Sequence, residues 1–148
     1  MWVLVAAFLV FFMHAGFGML ESGQVRSKNV ANQLTKNVLT WGVGVFAYFF
    51  IGAGVSAIVA GLTTGGSIDG AFTYINGGSI VWANWLFGAA FSMVAASIVS
   101  GAVAERAQLG GYLVFTVLVG ALIYPVATGL TWSGGFLAEL GFQDFAGA

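Results

Sequence analysis

Four long uncharged runs set the plan of this 148-residue chain. The first covers residues 2–20, with His14 as its one strongly polar side chain. The second covers 37–61, the third about 79–104 and the fourth about 109–130. Each can span a bilayer as a helix, which takes about 20 apolar residues. Residues 61–78 are rich in Gly and Thr and read as a loop, as do residues 131–148. Pro125 removes one backbone hydrogen bond from the fourth run and predicts a kink there. Tyr124 beside it is placed to pack at that kink.

The third run shows two faces. Gly88, Ser92, Ala96 and Ser100 recur at every fourth position, a small-residue ladder against which another helix can pack closely. Beside it run Phe87, Phe91, Val94 and Ile98, with two rings one turn apart above an aliphatic track. Periodicity allows two readings of this stripe: packed core or lipid face, and the wall of a narrow apolar pore.

Composition fixes the class. Apolar residues make up 59% of the chain and charged residues 6%, against about 25% charged in soluble domains. The fold expected is an all-α membrane protein, a polytopic transmembrane helix bundle. A net charge of −1 gives no nucleic-acid footprint. With no Cys and one His, the chain lacks the material for thiolate chemistry or a multi-His metal cluster. No basic stretch precedes the first apolar run, which argues against a cleaved signal peptide. Gly52-Ala-Gly54-Val-Ser-Ala57 matches a dinucleotide fingerprint in letters only; without a strand–turn–helix setting it reads as packing glycines.

Orientation follows from the basic residues. Arg26, Lys28 and Lys36 fall between the first and second runs, and Arg106 falls between the third and fourth. By the positive-inside rule those connections are cytoplasmic. The N-terminus, Asp69 and residues 131–148 then face outside. Glu21 and Glu105, next to basic residues, are placed solvated or paired on the cytoplasmic side.

Three aromatic residues therefore converge on the outer face: Phe87, Phe91 and Trp132. Ring faces attract a cation by about 0.5–2 kcal/mol. Trp132 also suits an interfacial anchor, and Asp144 suits either an electrostatic partner or the cap of a following helix. His14 can serve a function within the membrane or bond a neighbouring helix.

The run Ala15-Gly-Phe-Gly-Met-Leu-Glu-Ser-Gly-Gln-Val-Arg-Ser-Lys-Asn29 resembles the first helix and inner loop of the ammonium transporter (Amt/Rh-type) family. Gly101-Ala-Val-Ala-Glu-Arg106, the Trp132-Ser-Gly-Gly135 turn and Asp144-Phe-Ala-Gly147 resemble three further family signatures, in order and at matching spacing. The resemblance implies eleven transmembrane helices in an inverted-repeat transporter fold. Residues 1–148 would supply the first four helices and the lead to a fifth. It further implies a homotrimer in the plasma membrane, lipid contact and a possible cytoplasmic regulatory protein. Its expected substrates are ammonium, ammonia and methylammonium, with no cofactor and no enzymatic activity.

By motif position, Phe91 is similar to the family's gating phenylalanine. Phe87 and Trp132 resemble its aromatic recruitment site, with Asp144 as its acidic residue. Val94 and Ile98 fall on the stripe where the family lines its pore. The two pore histidines, a second gate phenylalanine and a recruitment-site serine belong to later helices. His14 does not match either pore histidine. An ammonium-sensing membrane domain of a signalling protein is the alternative use of the same fold.

Overall fold

The structure, a computed structural model, describes residues 1–145. Its described residues form helices and connections only. Four helical units are long and apolar enough to cross a membrane. The first is α1, Trp2–Gln24. The second runs from Ser27 to Thr64 through α2 (Val30–Ala47), a π-helical turn at Tyr48–Gly52 and α3 (Ala53–Thr64). The third is α4, Ser79–Ala102. The fourth joins α5 (Leu109–Leu118), a π-helical turn at Val119–Ile123 and α6 (Tyr124–Thr131), with the short α7 (Phe136–Glu139) beyond it.

The second unit departs from the uncharged run that announced it. It begins at Val30 rather than at residue 37, so Lys36 lies inside a helix and not in the connection. Lys36 is 2% exposed. Its Nζ donates to the Ser100 carbonyl at 3.4 Å and stands 4.8 Å above the Tyr112 ring. Glu21 is likewise a correction, because it is 5% exposed rather than solvated. It accepts from Gln33 Nε2 at 2.5 Å, from Asn37 Nδ2 at 2.8 Å and from the Ser100 hydroxyl. A charged group leaves water only where polar partners replace its hydration, and here four side chains and a carbonyl do so. Glu105, by contrast, is paired with Arg26 at 3.0 Å.

Helix α4 is the spine. It packs along α1 and α2 and touches α5 and both π-helical turns. Its small-residue ladder accepts partners at successive turns. The Tyr48 hydroxyl lies against Gly88, and Ser92 and Ala96 are each 1% exposed. The Tyr112 hydroxyl donates to the Ala96 carbonyl at 3.1 Å. Side chains this small let polar groups from neighbouring helices reach the α4 backbone.

The two π-helical turns meet. A Cβ on Gly52 would stand 2.3 Å from the Gly120 carbonyl oxygen and 3.0 Å from Pro125. Only a glycine fits that crossing. One more glycine of the Gly52–Ala57 run also packs closely, since Gly54 faces the Phe72 ring. Pro125 begins α6 inside the continuous fourth unit, and the π-helical turn directly before it absorbs the missing N–H.

Candidate functional site

Phe87 and Phe91 lie one turn apart on α4, with ring centroids 4.9 Å apart and planes at 61°. Trp132 closes the group from the end of α6. Its ring is 6.3 Å from Phe87 at 22° and 6.0 Å from Phe91 at 54°. The turn that carries Trp132 depends on its two glycines. Gly134 has φ +76°, in the left-handed region, and a Cβ on Gly135 would stand 2.0 Å from the Gly129 carbonyl. The chain therefore folds back on α6 directly after Trp132. The indole N–H of Trp132 donates to Asp144 Oδ2 at 3.1 Å, which holds the ring from its far edge.

The three rings border a cavity of about 550 Å³. Tyr48 and Tyr124 also line it, their rings 6.3 Å apart. Tyr124 thus faces the site as well as standing beside Pro125. Val94 is buried at 7% exposure, and Ile98 is open at 62%. The structure brings Phe87, Phe91, Trp132 and Asp144 together. It splits the aliphatic part of the stripe between the interior and an open face. The role of Asp144 as cap of a fifth helix, and Ala146-Gly147 of its motif, lie outside the described residues.

Three hydroxyls at the same cavity were not anticipated from the sequence. Ser56 Oγ lies 2.9 Å from Ser133 Oγ and 3.2 Å from Thr128 Oγ1. Ser56 belongs to the run read as packing glycines, and Ser133 lies 77 residues away. No local pattern ties the two together.

His14 reaches α4, with Nε2 3.4 Å from Ser97 Oγ. It bonds a neighbouring helix and is remote from the aromatic cluster. Among the described residues no group of His, Cys, Asp and Glu has the makings of a metal site.

The opposite ends of α1 and α4 are tied by a second polar cluster. Glu105 accepts from the Arg26 backbone N–H at 2.7 Å, from Asn29 Nδ2 at 2.8 Å and from Arg26 Nε. Glu105 has φ +61°, unusual for a side chain with a Cβ, and these bonds hold it there. The Asn29 amide and then the Arg26 backbone and side chain pull its carboxyl down to about 2 from an ordinary 4.5. A depressed carboxyl stabilises the fold above its unfolded value, and that contribution is lost as pH falls through the folded value. The stability gap between the parent and Glu105→Gln is therefore expected to be constant above about pH 4.5 and to close toward pH 2. Unfolding midpoints of the complete protein across that range check this.

These features define a polytopic membrane protein with an aromatic-lined cavity at one end of its spine helix. The chain belongs to the Ammonium Transporter Family, whose model matches residues 1–148. It is 59% identical over 152 residues to ammonium transporter Amt2 of Haloferax mediterranei, a match covering 99% of this chain and 33% of the relative. Ammonium transporter Amt1 of the same organism is 54% identical, with 99% of this chain and 30% of the relative covered. Ammonium transporter 3 of Dictyostelium discoideum is 40% identical, with 99% and 33% covered. The chain thus spans about a third of the length of the curated relatives it matches. No solved structure matches it.

Proposed function

We propose that the complete protein carries ammonium across the plasma membrane through a hydrophobic pore, without enzymatic chemistry. The observation that carries this reading is the convergence of Phe87, Phe91 and Trp132 around one cavity. Ring faces draw an ammonium ion by cation–π attraction, and the Asp144 carboxylate adds a favourable charge. Phe91 is the gate below that site, and Ile98, on the open face of α4, is its apolar continuation, with Val94 packed behind it rather than on that face. An ion passing such a path unhydrated would lose several kcal/mol of solvation. Ammonium escapes this cost by giving up its proton to the two pore histidines that the resemblance assigns to later helices, so a neutral molecule crosses the apolar path while the proton crosses by the histidines and carries the current. Sodium and potassium ions have no proton to release and are refused.

The same reading places four helices of an eleven-helix inverted-repeat fold in residues 1–148, with an external N-terminus, assembly as a homotrimer and a possible cytoplasmic regulatory partner. The retained basic residues Arg26, Lys28 and Arg106 mark the cytoplasmic connections, opposite Asp69.

Proteoliposomes containing the complete protein test this. Saturable ammonium currents and methylammonium uptake are expected, and a cysteine at position 69 should react with an impermeant label from outside. Absence of any ammonium-dependent flux would defeat the transport reading. Labelling of position 69 only from the inside would invert the topology.

A further inference from the structure

Phe91 borders two cavities. One is the recruitment cavity of about 550 Å³. The other is smaller, about 160 Å³. Phe91, Tyr124, Thr128 and Trp132 line both and form the partition between them. Ala127 and Thr131, one turn apart on α6, line the smaller cavity and not the larger.

The smaller cavity suits a hydrocarbon group rather than an ion. None of its six lining residues carries a charge. The Thr131 hydroxyl is spent on the Ala127 carbonyl, to which it donates at 2.8 Å. The volume is that of a ring, since an apolar cavity of about 150 Å³ accepts a benzene molecule. Of the two rings in the partition that approach each other, Trp132 is tied by its indole N–H to Asp144. Phe91 has ring contacts only, at 61° to Phe87 and 54° to Trp132, neither of them stacked. It is half-buried, whereas Ser92, Met93 and Val94 after it are buried. A helical phenylalanine has two usable χ1 wells, so its ring can change place while the helix stays still.

We propose that the smaller cavity receives the Phe91 ring when the gate opens, and that Ala127 and Thr131 are positioning residues that keep this space free. The proposal rests on the reading of Phe91 as the gate of an ammonium path. A ring packed on every side is pinned, because interiors are close-packed and yield little. Small side chains at Ala127 and Thr131 leave one side open. A larger substrate needs a wider displacement of the ring, so the same space limits the size of what passes. Methylammonium therefore depends on it more than ammonium does.

The test uses the complete transporter in proteoliposomes, with maximal current and half-saturation concentration read for ammonium and for methylammonium. Ala127→Leu fills the cavity. It is expected to lower the maximal ammonium current about tenfold, the scale of one overpacked side chain, with the half-saturation concentration near the parent's. Methylammonium should lose more. Thr131→Leu fills the same space from the next turn and should act alike; Ala127→Val, a milder filling, carries the test where a leucine variant does not fold. In a Phe91→Ala background, or Phe91→Leu where the alanine variant is silent, each filling should cost less than about twofold, because no ring needs the space. The full loss in that background would mean that the added side chain obstructs the path itself, and the receiving cavity would be wrong. Unchanged maximal currents in the filled variants would also refute it. So would a raised half-saturation concentration at an unchanged maximal current, which would assign the cavity to recruitment. A parent protein without ammonium current would refute the transport reading, and the gate with it.

Discussion

Glu21→Ala is expected to destabilise the complete protein by about 3–5 kcal/mol, the usual cost of removing one member of a buried charged network. The carboxylate of α1 gathers three donors, Gln33 and Asn37 from α2 and Ser100 from α4. Without it, the buried Gln33 amide, the half-buried Asn37 amide and the Ser100 hydroxyl lose their acceptor, and each orphaned buried group costs about 1–3 kcal/mol. Lys36 suffers as well. Its ammonium meets Ser100 from the other side, at the carbonyl, and rests on the Tyr112 ring. With Glu21 gone it is a buried cation with no opposite charge nearby in this cluster. Lys36→Met should in turn be damaging, though less so, because its stem volume is kept. Thermal unfolding of the complete protein in detergent measures both. The combined Glu21→Ala, Lys36→Met variant should lose clearly less than the sum of the two single variants, since both charges leave together. Strictly additive losses would show that the two residues do not act through Ser100.

That network also explains where reading the sequence stopped. The four apolar runs were legible because nothing but a spanning helix suits an uncharged stretch of such length. Lys36 hid the true start of the second unit: a charge reads as a helix boundary unless its partners are known. Those partners are Ser100, read as a rung of a packing ladder, and Tyr112, whose ring gives no signal of its own. Burial of Glu21 was hidden in the same way, since Gln33 and Asn37 look like the polar residues of a connection. Pro125 announced an irregularity in the fourth unit. The π-helical turn that faces it at Tyr48–Gly52 has no proline, and Gly52 shows its necessity only against the Gly120 carbonyl.

The aromatic site was legible for a different reason. Phe87 and Phe91 are tied by helix periodicity alone, and the Trp132-Ser-Gly-Gly135 turn is a local motif whose glycines have local causes. The hydroxyl trio has neither advantage. Ser56 and Ser133 meet only because α3 packs along α6, and that packing depends on Gly129, where a Cβ would stand 2.6 Å from the Ser56 carbonyl. Contacts that rest on the crossing of two distant helices leave no periodic trace in either one.

Asp144 is where the two expectations for one residue can now be separated. Its Oδ2 accepts from the Trp132 indole at 3.1 Å, so the carboxylate orients the ring, apart from the charge proposed for it beside the cation. Asp144→Ala is expected to abolish most ammonium transport by the complete protein, because the ring loses its tether and the cation loses the charge together. Asp144→Asn keeps an amide oxygen that can still accept from the indole, but removes the charge. If the charge matters, the Asn variant transports with a weakened apparent affinity, in an ionic-strength-dependent way. Trp132→Leu supplies the reference. It removes the ring quadrupole, worth about 1 kcal/mol or roughly fivefold in affinity, and leaves Asp144 without its indole partner. Asp144→Ala combined with Trp132→Leu should then weaken recruitment by less than the product of the single effects, because the tether has value only while the ring is present. Concentration dependence of ammonium currents for the four variants, at low and high salt, decides the matter. Normal transport by Asp144→Asn, beside a misfolded Asp144→Ala, would make Asp144 a purely structural residue and remove its charge from the recruitment of ammonium.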